Sequence, residues 1–343
     1  MSENIAPLVS VCIPTYNSGA TLAETLASIV GQSYSRLEIL VVDNASTDNT
    51  VEVASRFDDS RIRIYRNAEN IGAEGNFNRC IALASGAYTA IYHADDLYTA
   101  RIVAEQVDFL DRHPGVGGVL TEAMVIDDRG REIGAIRFPA ELGRRAAAVD
   151  FSELFSALLH HSNFLICPSA MVRTAVYKND IKGWRGELFG SSADLDIWLR
   201  IARRARLGLL PVRLMKYRIS DAQYSARVRY QTERADFFRV MDHYLEQDDV
   251  RAMVTPADLD NYQKLLRRDV VMRAVNLFLM DDFPRSALLM KDFFKPTTLF
   301  GALQDKRSLG VLLLGVYLIC TNTMGLRRFG QYPLRQMKRI LRK

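Results

Sequence analysis

Along the first hundred residues, short β-branched apolar runs alternate with stretches whose apolar positions recur at helical spacing. Leu8–Ile13 is such a run; it meets Pro14 and a polar turn, and Thr21–Val30 then carries a helix pattern. Leu37–Val42 reads as a second buried strand ending at Asp43, after which Ser46 and Thr47 open a helix near Asn49–Arg56. Arg61–Tyr65 is a third strand, Asn76–Ala84 a helix, Tyr88–Tyr92 a fourth strand, and Thr99–Arg112 another helix. Alternation at this spacing requires crossover connections, which predicts a Rossmann-type, mostly parallel sheet flanked by helices. Val116–Ile126 continues as a strand, with Asp127–Gly130 as a turn.

Residues 131–190 are less regular. Asp194–Ala205 is strongly amphipathic, and Leu207–Ile219 reads as strand. Past Asp221 the pattern becomes helical, over about 227–248, 257–280 and 285–294. The expected division is therefore an α/β domain over 1–220 and a helical region over 221–343. Ser308–Leu326 carries no charge, but Thr321, Asn322, Thr323 and Gly325 dilute its second half. A helix buried in the protein or lying at a membrane surface fits it better than a membrane span.

Charge changes the picture in one respect. Residues 1–220 hold 24 Lys/Arg against 26 Asp/Glu, whereas 221–343 hold 21 against 14. The last 17 residues contribute seven basic side chains and no acid, so the net charge of +5 is a tail effect. A nearly neutral body argues against nucleic-acid binding. Cys12, Cys80, Cys167 and Cys320 are far apart with no CxxC pair, which fits a reducing compartment better than a disulfide or zinc framework. The opening MSENIAPLVS has neither a basic region nor a long apolar stretch and does not read as a secretory signal. A cytoplasmic protein is expected.

In an open parallel sheet, ligands collect at the carboxyl ends of the strands. The first strand delivers Pro14, Thr15, Tyr16 and Asn17 there; the second Asp43, Asn44, Ala45 and Ser46; the fourth His93, Ala94, Asp95 and Asp96. An aromatic ring can stack on a base, amides and carboxylates can bond base and ribose edges, and paired carboxylates can hold a hard cation against a diphosphate. Each turn alone is ordinary loop composition; three together suggest a nucleotide site. Competing signatures are missing. There is no Gly-Lys pair, hence no P-loop. Gly115-Val116-Gly117-Gly118 lacks the third glycine of a dinucleotide fingerprint and follows a helix.

The stretch VSVCIPTYNSGATLAETLASIVGQSYSRLEILVVDNASTDNT resembles the opening of family 2 glycosyltransferases with the GT-A fold. GAYTAIYHADD resembles that family's metal-binding acidic motif, and SSADLDIWLRIA the helix start that supplies its catalytic base. The resemblance covers residue 8 to about 220 and implies a sugar-nucleotide-dependent, inverting transferase using Mg²⁺ or Mn²⁺. It implies that Pro14, Thr15 and Tyr16 line the base pocket with Asn17 beside them, and that Asp43 and Asn44 bind base and ribose. It also implies that Asp95 and Asp96 form the diphosphate–metal site, Asp96 as the direct ligand, and that Asp194 deprotonates the acceptor hydroxyl. Three positions depart from the pattern. Asn44 stands where many members have Asp, His93 where some have a third acid, and Ala193 where many have Glu. With His93 in place of an acid, Asp95 and Asp96 are left to carry the site alone.

The chemistry is consistent with these assignments. A divalent cation neutralises charge building on a departing diphosphate, and a carboxylate must take the proton of a sugar hydroxyl as it attacks. Asp194 could equally be an N-cap, and Asp196 is a nearby decoy. His160-His161 reads as bland, with no spaced acidic partner, and Arg200, Arg203, Arg204 and Arg206 as a solvated face in which Arg200 could meet a phosphate. Trp184, in a glycine-flanked loop before the candidate base, is a candidate platform for an acceptor sugar. The acceptor class expected is a glycan or lipid-linked sugar, with the basic tail touching the inner membrane face. The competing class is a non-catalytic sugar-nucleotide-binding or scaffold protein on the same fold. A nucleotidyltransferase should open on a Gly-rich loop and Arg, which PTYN lacks.

Overall fold

The computed structural model describes residues 6–143, 147–219, 231–291, 293 and 305–340. It divides into two compact units, residues 1–219 and 220–343.

The first unit is built on one sheet whose strands lie side by side in the order Ile62–Arg66, Leu37–Asp43, Val9–Thr15, Tyr88–Ile91, Met171–Arg173, Val116–Ile126, Arg206–Arg218 and Leu97–Tyr98. Strands β1 (Val9–Thr15), β2 (Leu37–Asp43), β3 (Ile62–Arg66) and β4 (Tyr88–Ile91) pair in parallel, as the alternation predicts. Helices α1 (Leu22–Val30), α2 (Thr50–Ser55) and α3 (Gly72–Leu83) make the crossovers. The seven residues of β2 are all buried, which explains an apolar run with no alternation.

Beyond β4 the sheet becomes mixed. β5 is the pair Leu97–Tyr98, α4 spans Ile102–Arg112, and β6 (Val116–Ile126) carries the hairpin strand β7 (Glu132–Ile136). After β8 (Ala147–Val149) and α5 (Phe151–His161), the three-residue β9 (Met171–Arg173) lies antiparallel between β4 and β6. So short a strand leaves no periodic signal, and the parallel reading holds only for the first four strands and for β6 with β10. A short helix α6 (Gly186–Phe189) precedes α7 (Ala193–Arg204) and the long β10 (Arg206–Arg218). Gly117 lies where a Cβ would come within 3.0 Å of Ile201 and 3.1 Å of Ala205, so this glycine serves close helix–strand packing.

The second unit is helical in its described residues: α8 (Asp236–Leu245), α9 (Asp248–Met253), α10 (Pro256–Leu279), α11 (Phe283–Met290), α12 (Lys306–Thr323) and α13 (Arg327–Ile340). The helix expected over 227–248 is shorter: residues 231–235 are not helical, α8 and α9 divide the rest, and 227–230 lie outside the described residues. Thr255 and Asp258 form a capping box at the start of α10. Val271, Ala274, Val275, Phe278, Met290, Leu318 and Leu334 form this unit's core. No helix among the described residues is long and apolar enough to cross a membrane.

Candidate functional site

The turn after β4 carries His93-Ala94-Asp95-Asp96, and it is tied from both sides. From α1, Thr21 Oγ1 donates to the Ala94 carbonyl at 2.9 Å and Thr25 Oγ1 to the Asp96 carbonyl at 2.8 Å. From the end of β10, the Arg218 backbone N–H donates to Asp96 Oδ1 at 2.8 Å, and its guanidinium donates to the Asp95 carbonyl at 2.9 Å and to Glu24 at 2.7 Å. Arg218 is buried. Its importance is invisible in the sequence, where it is the last charged residue of an ordinary strand pattern.

Asp96 is wholly buried, and its Oδ2 has no hydrogen-bond partner among the described residues. Burial and the neighbouring Asp95 charge push its carboxyl well above the usual carboxylate range. A bare carboxylate oxygen in such a place is costly unless something cationic completes it. His93, Asp95 and Asp96 each present a ligand atom, all within 4.8 Å of one another. His93 thus lies within ligand range of the acidic pair, which the sequence reading leaves to the two carboxylates. Two acids and an imidazole are a donor set that fits a divalent cation.

Asp194 lies in the first turn of α7 behind Ser192 at the cap position, and its Oδ1 accepts from the N–H of Leu195 at 2.8 Å. It is not the helix cap. Burial pushes its carboxyl up to about 6, against the opposing pull of backbone N–H groups. The thiol of Cys167 is raised by burial and then by the charges of both Asp194 and Asp96, which places it within electrostatic range of each. Cys167 was unremarkable in the sequence.

Asp196 has a different role from its neighbour. It is wholly buried, held by both guanidinium arms of Arg185 and by Arg200 Nε at 2.9 Å. Arg200 also donates to the carbonyls of Ile181 and Gly183, so it clamps the 181–185 loop and is not part of a solvated face. Asp196→Asn should leave two guanidinium groups short of their anion and cost about 3–5 kcal/mol of stability, measured by chemical denaturation. A milder loss would mean that Asp196 does not brace this loop.

At the nucleotide-facing strand ends the structure sorts the expected residues. Tyr16 is 50% exposed, Asn17 is exposed and Pro14 half-buried. Asn17 adopts φ 50°, tolerable for Asn, with its Oδ1 accepting from the Thr47 N–H at 2.9 Å. Thr15 and Asp43 are buried; the Asp43 carboxylate accepts from Thr15 Oγ1 at 3.3 Å, from the Ser46 N–H at 3.1 Å and from the Ser46 hydroxyl, and pairs with Arg66 at 3.6 Å. Asn44 is spent entirely on the protein. Its NH₂ donates to Asn70 Oδ1 and the Gly72 carbonyl, and its Oδ1 accepts from Asn67 and from the Ile71 N–H. That uses its two donors and two lone pairs. These bonds brace β2 against the start of α3.

Trp184 is buried, and its ring stacks on Phe77 at 4.6 Å, which in turn stacks on His93 at 5.8 Å. One face of the expected sugar platform is thus occupied, and the indole Nε1 has no hydrogen-bond partner among the described residues. His161 finds an acidic partner in Glu141, which lies 20 residues away and was not anticipated.

A Rossmann-like parallel half, a tethered acidic turn and a carboxylate at the start of a later helix define a GT-A glycosyltransferase. The chain belongs to glycosyl transferase family 2, whose family model matches residues 10–180. It is 31% identical over 230 residues to a putative glycosyltransferase, EpsE, of Bacillus subtilis, covering 65% of this chain and 74% of that one. Over 103 residues it is 35% identical to the Escherichia coli UDP-Glc:alpha-D-GlcNAc-diphosphoundecaprenol beta-1,3-glucosyltransferase WfgD, covering 30% of this chain and 41% of that one. Its fold is similar to that of S. aureus TarS 1-349 in complex with UDP-GlcNAc, with TM-score 0.60 and 20% identity over 95% of this chain and 93% of that one. Asp194 falls beyond the stretch that the family model matches.

Proposed function

We propose that this protein transfers a sugar, with inversion, from a nucleotide-activated donor to a hydroxyl of a glycan or lipid-linked acceptor, with a divalent cation at the acidic turn. The observation that carries this reading is the pair of poised carboxylates. Asp96 offers a buried oxygen with no partner among the described residues, and burial pushes the Asp194 carboxyl up to about 6. Catalysis is assigned to the first unit, residues 1–219.

Tyr16, Pro14 and Asn17 form the wall against which the base stacks, with the buried Thr15, Asp43 and Asn44 shaping it from beneath. Asp95, Asp96 and His93 hold Mg²⁺ or Mn²⁺, which when bound offsets charge on the leaving diphosphate. Asp194 accepts the acceptor proton as the hydroxyl attacks the anomeric carbon, so the sugar moves in one displacement with no covalent intermediate. Trp184 holds the loop that borders the acceptor. Chelation with EDTA should abolish nucleoside diphosphate release from the donor, and added Mg²⁺ or Mn²⁺ should restore it. Full activity in EDTA would remove the cation from the reaction. The glucosyltransferase WfgD is named for a diphosphoundecaprenol-linked sugar, which supports a lipid-linked acceptor here.

Such an acceptor calls for peripheral contact with a membrane, and the second unit offers a surface for it. Phe329 is 83% exposed, with Met324, Leu326 and Tyr332 exposed around it and Arg327 and Arg328 adjoining. Leu334 is only 2% exposed and Met337 packs against the same core, so neither is available for insertion. Truncating 327–343 would therefore damage the unit's core, and Ile340, Arg342 and Lys343 have no described side chains. Charge reversal is the cleaner test. Each basic side chain near an anionic surface contributes about 1 kcal/mol, so Arg327→Glu with Arg328→Glu should cut binding to anionic vesicles by at least about tenfold. Flotation at low and high salt reads this out. Equal flotation of variant and wild type would exclude these arginines as the contact.

A further inference from the structure

We propose that Phe77 is a positioning residue: it couples nucleotide binding at the donor side to the placement of the segment 182–190, the acceptor-side loop that leads into Asp194. The inference rests on the transfer reading above and adds to it a residue that acts through its neighbours.

Three observations meet at α3. The Phe77 ring lies between two others, stacking on His93 at 5.8 Å between centroids and on Trp184 at 4.6 Å, with 25° and 21° between planes. The 182–190 segment is seated around that ring. The Trp184 backbone N–H donates to Asn78 Oδ1 at 3.0 Å, a Cβ on Gly183 would lie 2.9 Å from the same oxygen, and one on Gly186 would meet Glu74 Oε2 at 2.3 Å. Glu74, Phe77 and Asn78 share one face of α3 by their i, i+3, i+4 spacing. The same helix is fixed to the nucleotide-facing end of β2. Asn44 bonds the Ile71 N–H and the Gly72 carbonyl, and Asn76 Nδ2 donates to the Val42 carbonyl at 2.9 Å. Thus α3 joins the nucleotide strand end, the acidic turn and the acceptor-side loop.

Stacked rings prefer a defined offset and separation, so a shift of either outer ring is passed on through the middle one. No competing hydrogen bond orients the Trp184 indole, whose Nε1 has no partner among the described residues. The far side of the loop is held to α7, where Arg185 pairs with Asp196 and Arg200 donates to the Ile181 and Gly183 carbonyls. That helix also carries Asp194. A misplacement of about 1 Å can cost about 10²-fold in rate, so tying the acceptor-side loop to the donor side has a catalytic consequence.

The test uses the full chain carrying Trp198→Phe, which leaves Trp184 as its one tryptophan. The probes are UDP and GDP, each with Mg²⁺ or Mn²⁺. A nucleotide that binds should shift Trp184 emission. Phe77→Leu in this background should bind the same nucleotide within about threefold, by calorimetry, yet lose most of the emission shift. Phe77→Tyr, which keeps the ring, should retain both. A field reaching Trp184 directly from the bound charges would survive in Phe77→Leu, so an undiminished shift there overturns the inference and leaves the transfer reading intact. Loss of affinity together with the shift would make Phe77 a mere support of the donor site and overturn it equally. So would nucleotide binding with no emission change in the Trp198→Phe chain, a result that needs no Phe77 variant to fold. Binding of neither nucleotide with either cation would overturn both the inference and the donor reading beneath it.

Discussion

Asp194→Asn is expected to lower turnover by about 10²–10⁴-fold while leaving metal-dependent donor affinity unchanged. The substitution keeps the shape and the hydrogen bond from the Leu195 N–H but removes the carboxylate lone pair proposed to take the hydroxyl proton. The pH dependence gives a second readout. With the carboxyl raised to about 6, the base is ionised only above that value. Turnover at saturating donor should therefore fall about tenfold per pH unit below 6, and this limb should vanish in the variant. Stability separates the role from a structural one. A carboxyl raised by folding is a burden that is absent below the ordinary carboxylate range, grows as pH rises from that range to about 6, and is complete above it. Removing it should leave Asp194→Asn at least as stable as wild type at pH 7.5, the opposite of the expectation for Asp196→Asn. Donor affinity lost with turnover retained, read by calorimetry and initial rates, would show that Asp194 is not the base.

Asp96→Asn should lose on the order of 10³ in kcat/KM, through donor binding and turnover together. The amide oxygen can still accept from the Arg218 N–H, so the turn keeps its tether to β10. What disappears is the charge on a buried oxygen that the protein itself does not satisfy. Because ionising that group costs the fold, the variant should melt no lower than wild type while its metal-dependent affinity for nucleoside diphosphate collapses. In wild type the same linkage makes the cation compete with a proton, so its affinity should weaken as pH falls. Undiminished donor binding in Asp96→Asn would remove this residue from the cation site.

The parallel half of the sheet was legible because its strands are buried on both faces and its crossovers are amphipathic helices. β2 and α1 are examples. β9 was not legible, since three residues cannot show a period and its position depends on partners far along the chain. The candidate turns are legible because strand ends collect ligands, yet sequence could not say which of their side chains point outward. Asn44 and Tyr16 look equally suited to a base; one is consumed by Asn67, Asn70, Ile71 and Gly72, and the other is left open. Asp194 and Asp196 sit two residues apart on one helix with different environments, because Arg185 and Arg200 pair with Asp196. Arg218 was missed because its effect lies wholly in long-range bonds to the acidic turn. His93 was read as the loss of an acid, when its side chain faces the same volume as the acids that remain.

The most direct test of the central claim is release of nucleoside diphosphate from a panel of UDP-, GDP- and dTDP-sugars, measured with Mn²⁺ and with EDTA on the wild-type chain. The account predicts release from at least one donor, dependent on the cation and stimulated by a glycan or lipid-linked acceptor. Tight, cation-dependent binding of a donor with no release under any acceptor would contradict it and make the protein a sugar-nucleotide-binding module on a transferase fold.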